Sequence, residues 1–264
     1  MAERQSPGAV TIGRPLLRRH AVTSTMDELA DLARGGAAEG TTLLADFQTA
    51  GRGRSGRVWD APAGTSLLFS VLLRPRLSLE RLTSLSMLIA ACVADVVETI
   101  TGLHAAIKWP NDVLIHGRKC CGILTRVTPL PGEPPIVILG VGFNVNSRAD
   151  QLLPGATSLL AETGQEVEQE PLLAAFLSTI GAMYGALMRD DLGDWWPLAS
   201  ARLAYVGETV VVRDGDREIL GTLVGVAPSG ALLLRQETGQ LHELASGELV
   251  RGPHVVSRAD PTPL

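Results

Sequence analysis

The chain has 264 residues, 45% of them hydrophobic, which is enough to bury a sizeable core in one large domain and one small one. The formal net charge is −5 and like charges form no long runs, so the composition speaks against binding of a phosphate backbone. No run approaches the roughly 18 apolar residues of a membrane span, and the first residues lack the apolar region of a secretory signal. A cytoplasmic protein without membrane contact is expected.

The first two thirds of the chain combines strand and helix patterns. Residues 16–22 and 41–47 read as strands, separated by a helix that is capped by Thr23, Ser24 or Thr25. A strand at 65–73 precedes a helix over 82–100, in which apolar residues recur every three or four positions. Further strands are predicted at 105–109, 112–116, 119–127 and 135–145, and a second long helix at 171–188. This order predicts an α+β fold in which helices pack against a mixed β-sheet.

After a short helical segment at W-W-P (195–197) the pattern changes. Short strands follow one another without a helix, separated by the turn signals D-G-D, P-S-G and E-T-G-Q. Such a series predicts a small β-barrel resembling an SH3 fold. The predicted domains are therefore 1–203 for the larger part and 204–253 for the barrel, with a loose tail at 254–264.

Three residue types are scarce enough to be informative. Cys92, Cys120 and Cys121 cannot all pair, so they are expected to be reduced, small apolar residues. Of the 23 basic residues only two are lysines, Lys108 and Lys119, and both fall in segments that look like site motifs on other grounds. The same holds for the chain's only asparagines, which are Asn111, Asn144 and Asn146. A lysine retained in an arginine-rich chain is a candidate for a task that a guanidinium cannot perform.

The first of these segments is G-R-G-R-S-G-R-V-W at 51–59. Its glycines permit positive φ and close backbone approach, so main-chain N–H groups can wrap a ligand while Arg52, Arg54 and Arg57 supply charge. This arrangement suits a carboxylate beside a phosphate. The alternative is a flexible or RNA-contacting Arg-Gly segment, but those are longer, repeated and lack flanking apolar strands.

Two further segments place lysines on strands. K-W-P-N-D (108–112) puts Lys108 at the end of one strand and Asp112 at the start of the next, although alone it could be a Pro-Asn turn with a solvated ion pair. In R-K-C-C-G-I-L (118–124), alternation would place Lys119 and Gly122 on opposite faces unless a bulge intervenes. A metal site at the cysteines is not expected, since no histidine lies nearby at ligand spacing.

Two nucleotide-binding signatures are missing. G-V-G-F-N-V-N (140–146) lacks the third glycine and the following helix of a dinucleotide fingerprint. No G-x-x-x-x-G-K-[ST] occurs either, so any ATP must be bound by other means.

Together the segments resemble the biotin protein ligase family in content, order and approximate spacing. The resemblance implies a catalytic domain similar to the class II aminoacyl-tRNA synthetases. It also implies an ATP-dependent, Mg²⁺-requiring enzyme that forms biotinyl-5′-AMP from biotin and ATP and transfers biotin to a lysine of a biotin carboxyl carrier protein. Because 23 residues precede the Ser-Thr motif, a monofunctional form without the N-terminal DNA-binding domain and without nucleic-acid contact is expected. Whether the chain forms a homodimer is left open.

The resemblance also assigns site residues. The biotin site it implies comprises Ser24, Thr25, Gln48, Gly51, Arg52, Arg54, Trp59, Lys119 and Gly122. The ATP site it implies comprises Arg52, Arg54, Arg57, Trp59, Lys108, Asn111, Asp112, Lys119 and Asn144. The expected catalytic groups are Lys119, Arg54, Arg57 and Asp112, with Asp112 also near the metal. The asparagine that usually follows Ser-Thr is replaced by Met26.

Three alternative functions stay open. A lipoate or octanoate transferase is similar in fold and acceptor, but has a different arginine-glycine loop and no K-W-P-N-D. A catalytically silent biotin-binding module would keep Ser24, Thr25 and Gln48 and need neither Lys119 nor Asp112; biotin-dependent pyrophosphate release would separate the two. A nucleic-acid-binding protein is disfavoured by the acidic balance.

Overall fold

The computed structural model describes residues 10–251, so the tail predicted at 254–264 lies outside the described residues. The strands of the larger part are β1 (Leu16–Val22), β2 (Thr42–Gln48), β3 (Gly51–Arg52), β4 (Val58–Trp59), β5 (Ser66–Leu73), β6 (Ala105–Lys108), β7 (Asp112–Ile115), β8 (Arg118–Leu130) and β9 (Glu133–Asn144). The helices are α1 (Thr25–Arg34), α2 (Leu79–Thr83), α3 (Leu85–Thr101), α4 (Leu159–Thr163), α5 (Gln169–Met188) and α6 (Trp195–Ala201).

Seven of these strands form one mixed sheet in the order β1-β2-β5-β9-β8-β7-β6. Strand β1 runs parallel to β2, and the other neighbouring pairs are antiparallel. Every residue of β5 is buried, because this strand lies inside the sheet and both of its faces are covered. The mixed sheet with packed helices is the arrangement predicted from the sequence.

The two faces of the sheet carry different cores. Alternate residues of β9, such as Leu139 and Phe143, join the larger core with α3 and α5, where the rings of Phe143 and Phe176 meet edge to face at 5.3 Å. The intervening Ile136 and Ile138 join a smaller core under α1. Helix α1 therefore covers only part of this second face of the sheet. The uncovered part of that face is available for a pocket.

Two helical stretches, Arg81–Thr101 and Gln169–Met188, are long and apolar enough to cross a membrane by length and composition. Neither stretch is an unbroken apolar run, since Asp95 and Glu98 interrupt the first and Ser178 and Thr179 interrupt the second. In the fold, 67% and 50% of their most apolar windows are buried, and α3 and α5 contribute to the same core. Their apolar composition is accounted for by packing inside the protein.

The predicted helix over 82–100 is interrupted at Ser84. The Ser84 hydroxyl donates to the Arg81 carbonyl at 2.9 Å, a local bond that competes with helix geometry. Gly230 packs directly on this point, because a Cβ added to it would lie 2.8 Å from the Ser84 Cα. The interruption thus marks the place where the second sheet meets the first part of the chain.

The second sheet is antiparallel and has five strands: β10 (Thr209–Asp214), β11 (Arg217–Val226), β12 (Leu232–Arg235), β13 (Leu241–Leu244) and β14 (Glu248–Arg251). Their order is β13-β12-β11-β10-β14. The sheet begins after α6, and the domain boundary near residue 204 stays a prediction. It is tied to the larger part by the buried Trp109, whose Nε1 donates to the Gly230 carbonyl at 2.9 Å. The likeness of this sheet to an SH3 barrel stays a prediction.

Candidate active site

The pocket lies on the face of the sheet that α1 covers in part. Alternation along β9 continues from Ile138 to Gly140, Gly142 and Asn144 on that face. The glycines leave the sheet without side chains here, and a cavity of about 350 Å³ lies above them. Met26 occupies the space beside Gly140, where an added Cβ would lie 2.6 Å from its Sδ.

The arginine loop forms a hairpin that carries Trp59 into this pocket. Strands β3 and β4 pair antiparallel on either side of a short turn at Arg54–Gly56. The indole of Trp59 lies against Gly122 and Gly142, which together we call the glycine floor. A Cβ at Gly142 would lie 2.5 Å from its Cε2, and one at Gly122 would lie 2.9 Å from its Cζ3. Gly51 does not line the cavity; it lets the hairpin approach Gln48 at a place where a side chain has no room.

One end of the pocket is neutral and polar. Thr25 donates its backbone N–H and its hydroxyl to Gln48 Oε1, at 2.8 and 3.1 Å, and its Oγ1 lies 2.8 Å from Ser70 Oγ. The Gln48 oxygen is thereby engaged, and its NH₂ group remains available as a donor. Ser24 is only 1% exposed. Met26, 3% exposed, adds an apolar wall.

Two buried polar atoms of the pocket have no partner. Ser24 Oγ and Trp59 Nε1 make no hydrogen bond to any part of the chain from residue 10 to residue 251. Leaving such groups unpaired is unfavourable, so native structures satisfy most of them. Both atoms belong to residues that line one cavity, which is what a ligand site requires.

The other end is charged and centres on Lys119. Its Nζ lies 2.6 Å from Asp112 Oδ1 and 5.5 Å from the centroid of the Trp59 ring. The register shifts between β7 and β8, with Val113 opposite Cys121 and Leu114 opposite Lys119. This bulge sends both cysteines into the core and leaves Lys119 beside Gly122. Simple alternation is therefore wrong here, and the bulge explains why.

The hairpin arginines reach the second sheet. Arg54 donates to the Gly247 carbonyl at 3.1 Å and to Asn111 Oδ1 at 3.5 Å. Arg57 forms an exposed ion pair with Glu248 at 2.9 Å. Burial lowers the pKa of Arg54 from its ordinary value, although the charges of Asp112 and Glu248 oppose the shift. Its guanidinium remains charged, because the ordinary value is far above neutral pH.

Arg52 is held by an acidic residue of α1. Asp27 accepts from Arg52 Nε at 2.6 Å and from Arg126 Nη1 at 2.9 Å. Burial pushes the pKa of Asp27 up, but the hydrogen bonds and charges of the two arginines outweigh it, so the pKa lies below its ordinary value. Asp27 thus joins the hairpin to α1 and β8.

Two predicted nucleotide ligands are engaged within the protein. Asn111 donates to the Ile123 carbonyl at 2.5 Å. Asn144 donates to the Thr157 carbonyl at 3.1 Å and accepts from Ser66 Oγ at 3.4 Å. Both therefore shape the wall of the pocket. The ammonium of Lys108, by contrast, has no hydrogen bond or ion pair with any described residue.

The pocket gathers all the predicted site residues except Gly51, together with residues that the sequence did not indicate. The additional ones include Gly140, Gly142, Glu248 and the segment 151–156. The G-x-G spacing in a buried strand was a usable signal, since alternation puts both glycines on one face. The other contacts are long-range and have no local signature. The lining carries five basic and three acidic side chains, whereas the whole chain has a net charge of −5.

The three cysteines do not line the pocket. All three are free and buried, as predicted, and burial raises the pKa of each thiol. Among the side chains that the structure describes, no group of three or more His, Cys, Asp or Glu is arranged to hold a metal ion.

Residues 18–144 match the Biotin/lipoate A/B protein ligase family, which is the class of enzyme that this sheet and pocket define. Residues 205–252 match the Biotin protein ligase C terminal domain. The chain is 32% identical to the bifunctional ligase/repressor BirA of Bacillus subtilis over 232 residues, covering 86% of this chain and 71% of that protein. It is 35% identical to the biotin--[acetyl-CoA-carboxylase] ligase of Paracoccus denitrificans over 208 residues, covering 75% and 85%.

A solved structure is similar over nearly the same length. The biotin protein ligase of Aquifex aeolicus, determined in complex with biotin and ATP, aligns with a TM-score of 0.76 and 31% identity, covering 89% of this chain and 97% of that one. The chain belongs to the biotin protein ligase family. The resemblance read from the sequence is confirmed, and so are the α+β fold and the assignment of the protein as a ligase.

Proposed function

We propose that this pocket binds biotin at its neutral end and ATP at its charged end, forms biotinyl-5′-AMP and transfers biotin to a lysine of a biotin carboxyl carrier protein domain. The observation that carries the proposal is that one cavity has a neutral polar end, at Thr25 and Gln48, and a charged end, at Lys119 and Asp112. The strand order supports it, because Thr25 and Gln48 lie on the β2–β5 side whereas Lys119 and Asp112 lie on β8 and β7.

The neutral end suits the ureido ring of biotin. A ureido group has one carbonyl acceptor and two N–H donors, and it is uncharged. Ser24 Oγ can donate or accept, and the Gln48 NH₂ can donate because its oxygen is already engaged by Thr25. Trp59 and Met26 supply apolar walls for the rest of the molecule.

The charged end suits the first half-reaction. A biotin carboxylate oxygen attacks the α-phosphorus of ATP, a new P–O bond forms, and the bond to the β-phosphate breaks to release pyrophosphate. Two anions must approach each other for this to occur. Lys119, Arg54 and Arg57 offset the repulsion and stabilise the charge that develops, and one well-placed donor of this kind contributes on the order of 3 kcal/mol. Lys108 is a further cation in the lining of the same cavity.

In the second half-reaction a lysine amine of the carrier attacks the acyl carbon, and AMP leaves. A lysine with an ordinary pKa of about 10.4 must first lose a proton. Asp112 is the carboxylate beside Lys119, and we assign it the role of receiving that proton. The hairpin over the pocket keeps water from the mixed anhydride until the amine arrives.

The oxygen donors near Lys119 fit a magnesium ion that arrives with the nucleotide. Asp112 provides one carboxylate, and Mg²⁺ is typically held by one or two carboxylates together with substrate phosphates. Such an ion would supply positive charge at the phosphates. The protein's own task would be to present Asp112 to it.

The direct test is to incubate the purified chain with biotin, MgATP and a biotin carboxyl carrier domain and to measure the carrier by mass spectrometry. We expect the mass of one biotinyl group on a single lysine, together with biotin-dependent release of pyrophosphate. A lipoate or octanoate transferase would modify the carrier only with those acids. A silent binding module would bind biotin and release no pyrophosphate.

A further inference from the structure

Glu162 on α4 is a buried carboxylate outside the pocket. Its side chain is 3% exposed, yet it accepts from three side chains: Thr157 Oγ1 at 2.6 Å, Arg118 Nη2 at 2.8 Å and His116 Nδ1 at 2.8 Å. Burial pushes the pKa of Glu162 up, but hydrogen bonds from Thr157 and His116 and the charges of Arg118 and His116 outweigh it, so the pKa lies below its ordinary value. The group is therefore an anion with its acceptor sites in use.

Two of its partners connect it to the backbone of Lys119. Arg118 directly precedes Lys119 in β8. Thr157 donates its backbone N–H to the Lys119 carbonyl at 2.8 Å, and the Lys119 N–H donates to the Gly155 carbonyl at 2.9 Å. The Thr157 carbonyl also accepts a hydrogen bond from the side-chain amide of Asn144. The backbone of Lys119 is therefore bonded to the segment 155–157, and Glu162 holds the end of that segment through Thr157.

That segment is also a wall of the pocket. Leu152, Leu153, Pro154, Gly155 and Ala156 all line the cavity. Ser158 closes the segment, because its hydroxyl donates to the Ser147 carbonyl at 2.6 Å and accepts the first-turn N–H of Ala161. Ser158, the N-cap of α4, and Glu162, within α4, thus both hold the segment in place, and Glu162 is the charged one of the two.

We propose that Glu162 is a positioning residue for the adenylation step: it places Lys119 and the wall at 152–156 against the nucleotide. The inference rests on the proposed function, in which the Lys119 end of the pocket handles ATP. It predicts a division of effects. Biotin binding at the Thr25 and Gln48 end is unaffected, whereas the reaction with ATP depends on Glu162.

The test is steady-state kinetics of biotin-dependent pyrophosphate release by Glu162→Ala. Misplacing a reacting group by about 1 Å lowers rates by about 100-fold, so we expect kcat/KM for ATP to fall by about 10- to 100-fold. We expect the Kd for biotin, measured by calorimetry, to stay within about two-fold of the parent. Glu162→Gln keeps an oxygen that accepts from Thr157 and Arg118, so it should stay within about five-fold of the parent.

Glu98 offers a matched control. Its carboxylate lies 2.5 Å from Arg202 Nη2 and 2.9 Å from His104 Nδ1, and it accepts the Ala105 N–H at 3.0 Å. Like Glu162 it does not line the pocket, but its partners hold neither Lys119 nor the wall at 152–156. Glu98→Ala should lower the melting temperature without changing kcat or KM for ATP. If Glu162→Ala is too unstable to purify, Thr157→Val removes one donor from the carboxylate and should give a smaller loss of the same kind.

Three outcomes would overturn the inference, and they can be told apart. If Glu162→Ala lowers the melting temperature as Glu98→Ala does and leaves kcat and KM for ATP unchanged, Glu162 has a structural role alone. If Glu162→Ala raises the Kd for biotin by as much as it lowers kcat/KM for ATP, the role of Glu162 is not confined to the nucleotide end of the pocket. If the parent protein itself releases no pyrophosphate with biotin and ATP, the proposed function fails, and this inference fails with it.

Discussion

Replacing Gly142 by alanine tests whether Trp59 forms a wall of the biotin site. The added Cβ would lie 2.5 Å from Trp59 Cε2 and 2.7 Å from Cδ2, whereas carbon atoms in contact are about 3.5–4.0 Å apart. The indole must therefore move by about 1 Å. Overpacking of this kind costs about 1–3 kcal/mol. Because Trp59 forms a wall of the biotin site in the proposed function, we expect this cost in the Kd of biotin.

The expected effect is a rise of about 5- to 150-fold in the Kd of biotin, since about 1.4 kcal/mol corresponds to a tenfold change. Titration calorimetry measures it, and a melting curve shows whether the fold is retained. Gly225→Ala is the matched control, because Gly225 also lies in a strand and an added Cβ would meet no atom within 4 Å.

A double-mutant cycle makes the test sharper. Trp59→Ala weakens binding by itself, but adding Gly142→Ala to it should cause no further loss, because the atom that the Cβ would meet is gone. If Gly142→Ala binds biotin within two-fold of the parent, or if the two losses add, the indole does not lie on the glycine floor when biotin is bound.

Three further predictions concern the charged residues. Asp27→Ala should speed release of biotinyl-5′-AMP by up to about five-fold, because the ion pair that joins Arg52 of the hairpin to α1, worth up to about 1 kcal/mol, is lost; an unchanged release rate in a stopped-flow chase would contradict this. Lys119→Arg keeps the charge but should lower adenylate formation by about 100-fold or more, since the planar fork is bulkier and differently shaped; normal single-turnover adenylation would show that Lys119 is misplaced in our account. Asp112→Asn should slow transfer of biotin from preformed adenylate to the carrier, and an unaltered transfer rate would leave Asp112 only the metal contact.

The sequence predicted most of the elements and the composition of the site, because both rest on local patterns. The apolar periodicity around Leu88 and Val93 and the buried run of β5 report their environments directly. The G-R-G-R-S-G-R and K-W-P-N-D segments combine residue types that few other tasks require. The structure brings them together at one cavity, with Arg54 beside Asn111.

What the sequence could not provide depends on distant contacts. The bulge at Cys120 reverses the face of Lys119 relative to Gly122, and a one-residue change in register has no local signature. Arg54 meets Gly247 across 193 residues of chain, and nothing near either residue announces the contact. Glu162 is not singled out by the sequence, because the three donors around it are brought there only by the fold.

The most direct measurement is a crystal structure of the protein with a hydrolysis-resistant analogue of biotinyl-5′-AMP. We expect the ureido ring within hydrogen-bond distance of Ser24 Oγ and the Gln48 amide, the acyl-phosphate linkage beside Lys119 Nζ, and the arginine hairpin above both. An analogue bound outside this cavity, or inside it with the ureido ring at the Lys119 end, would contradict the account.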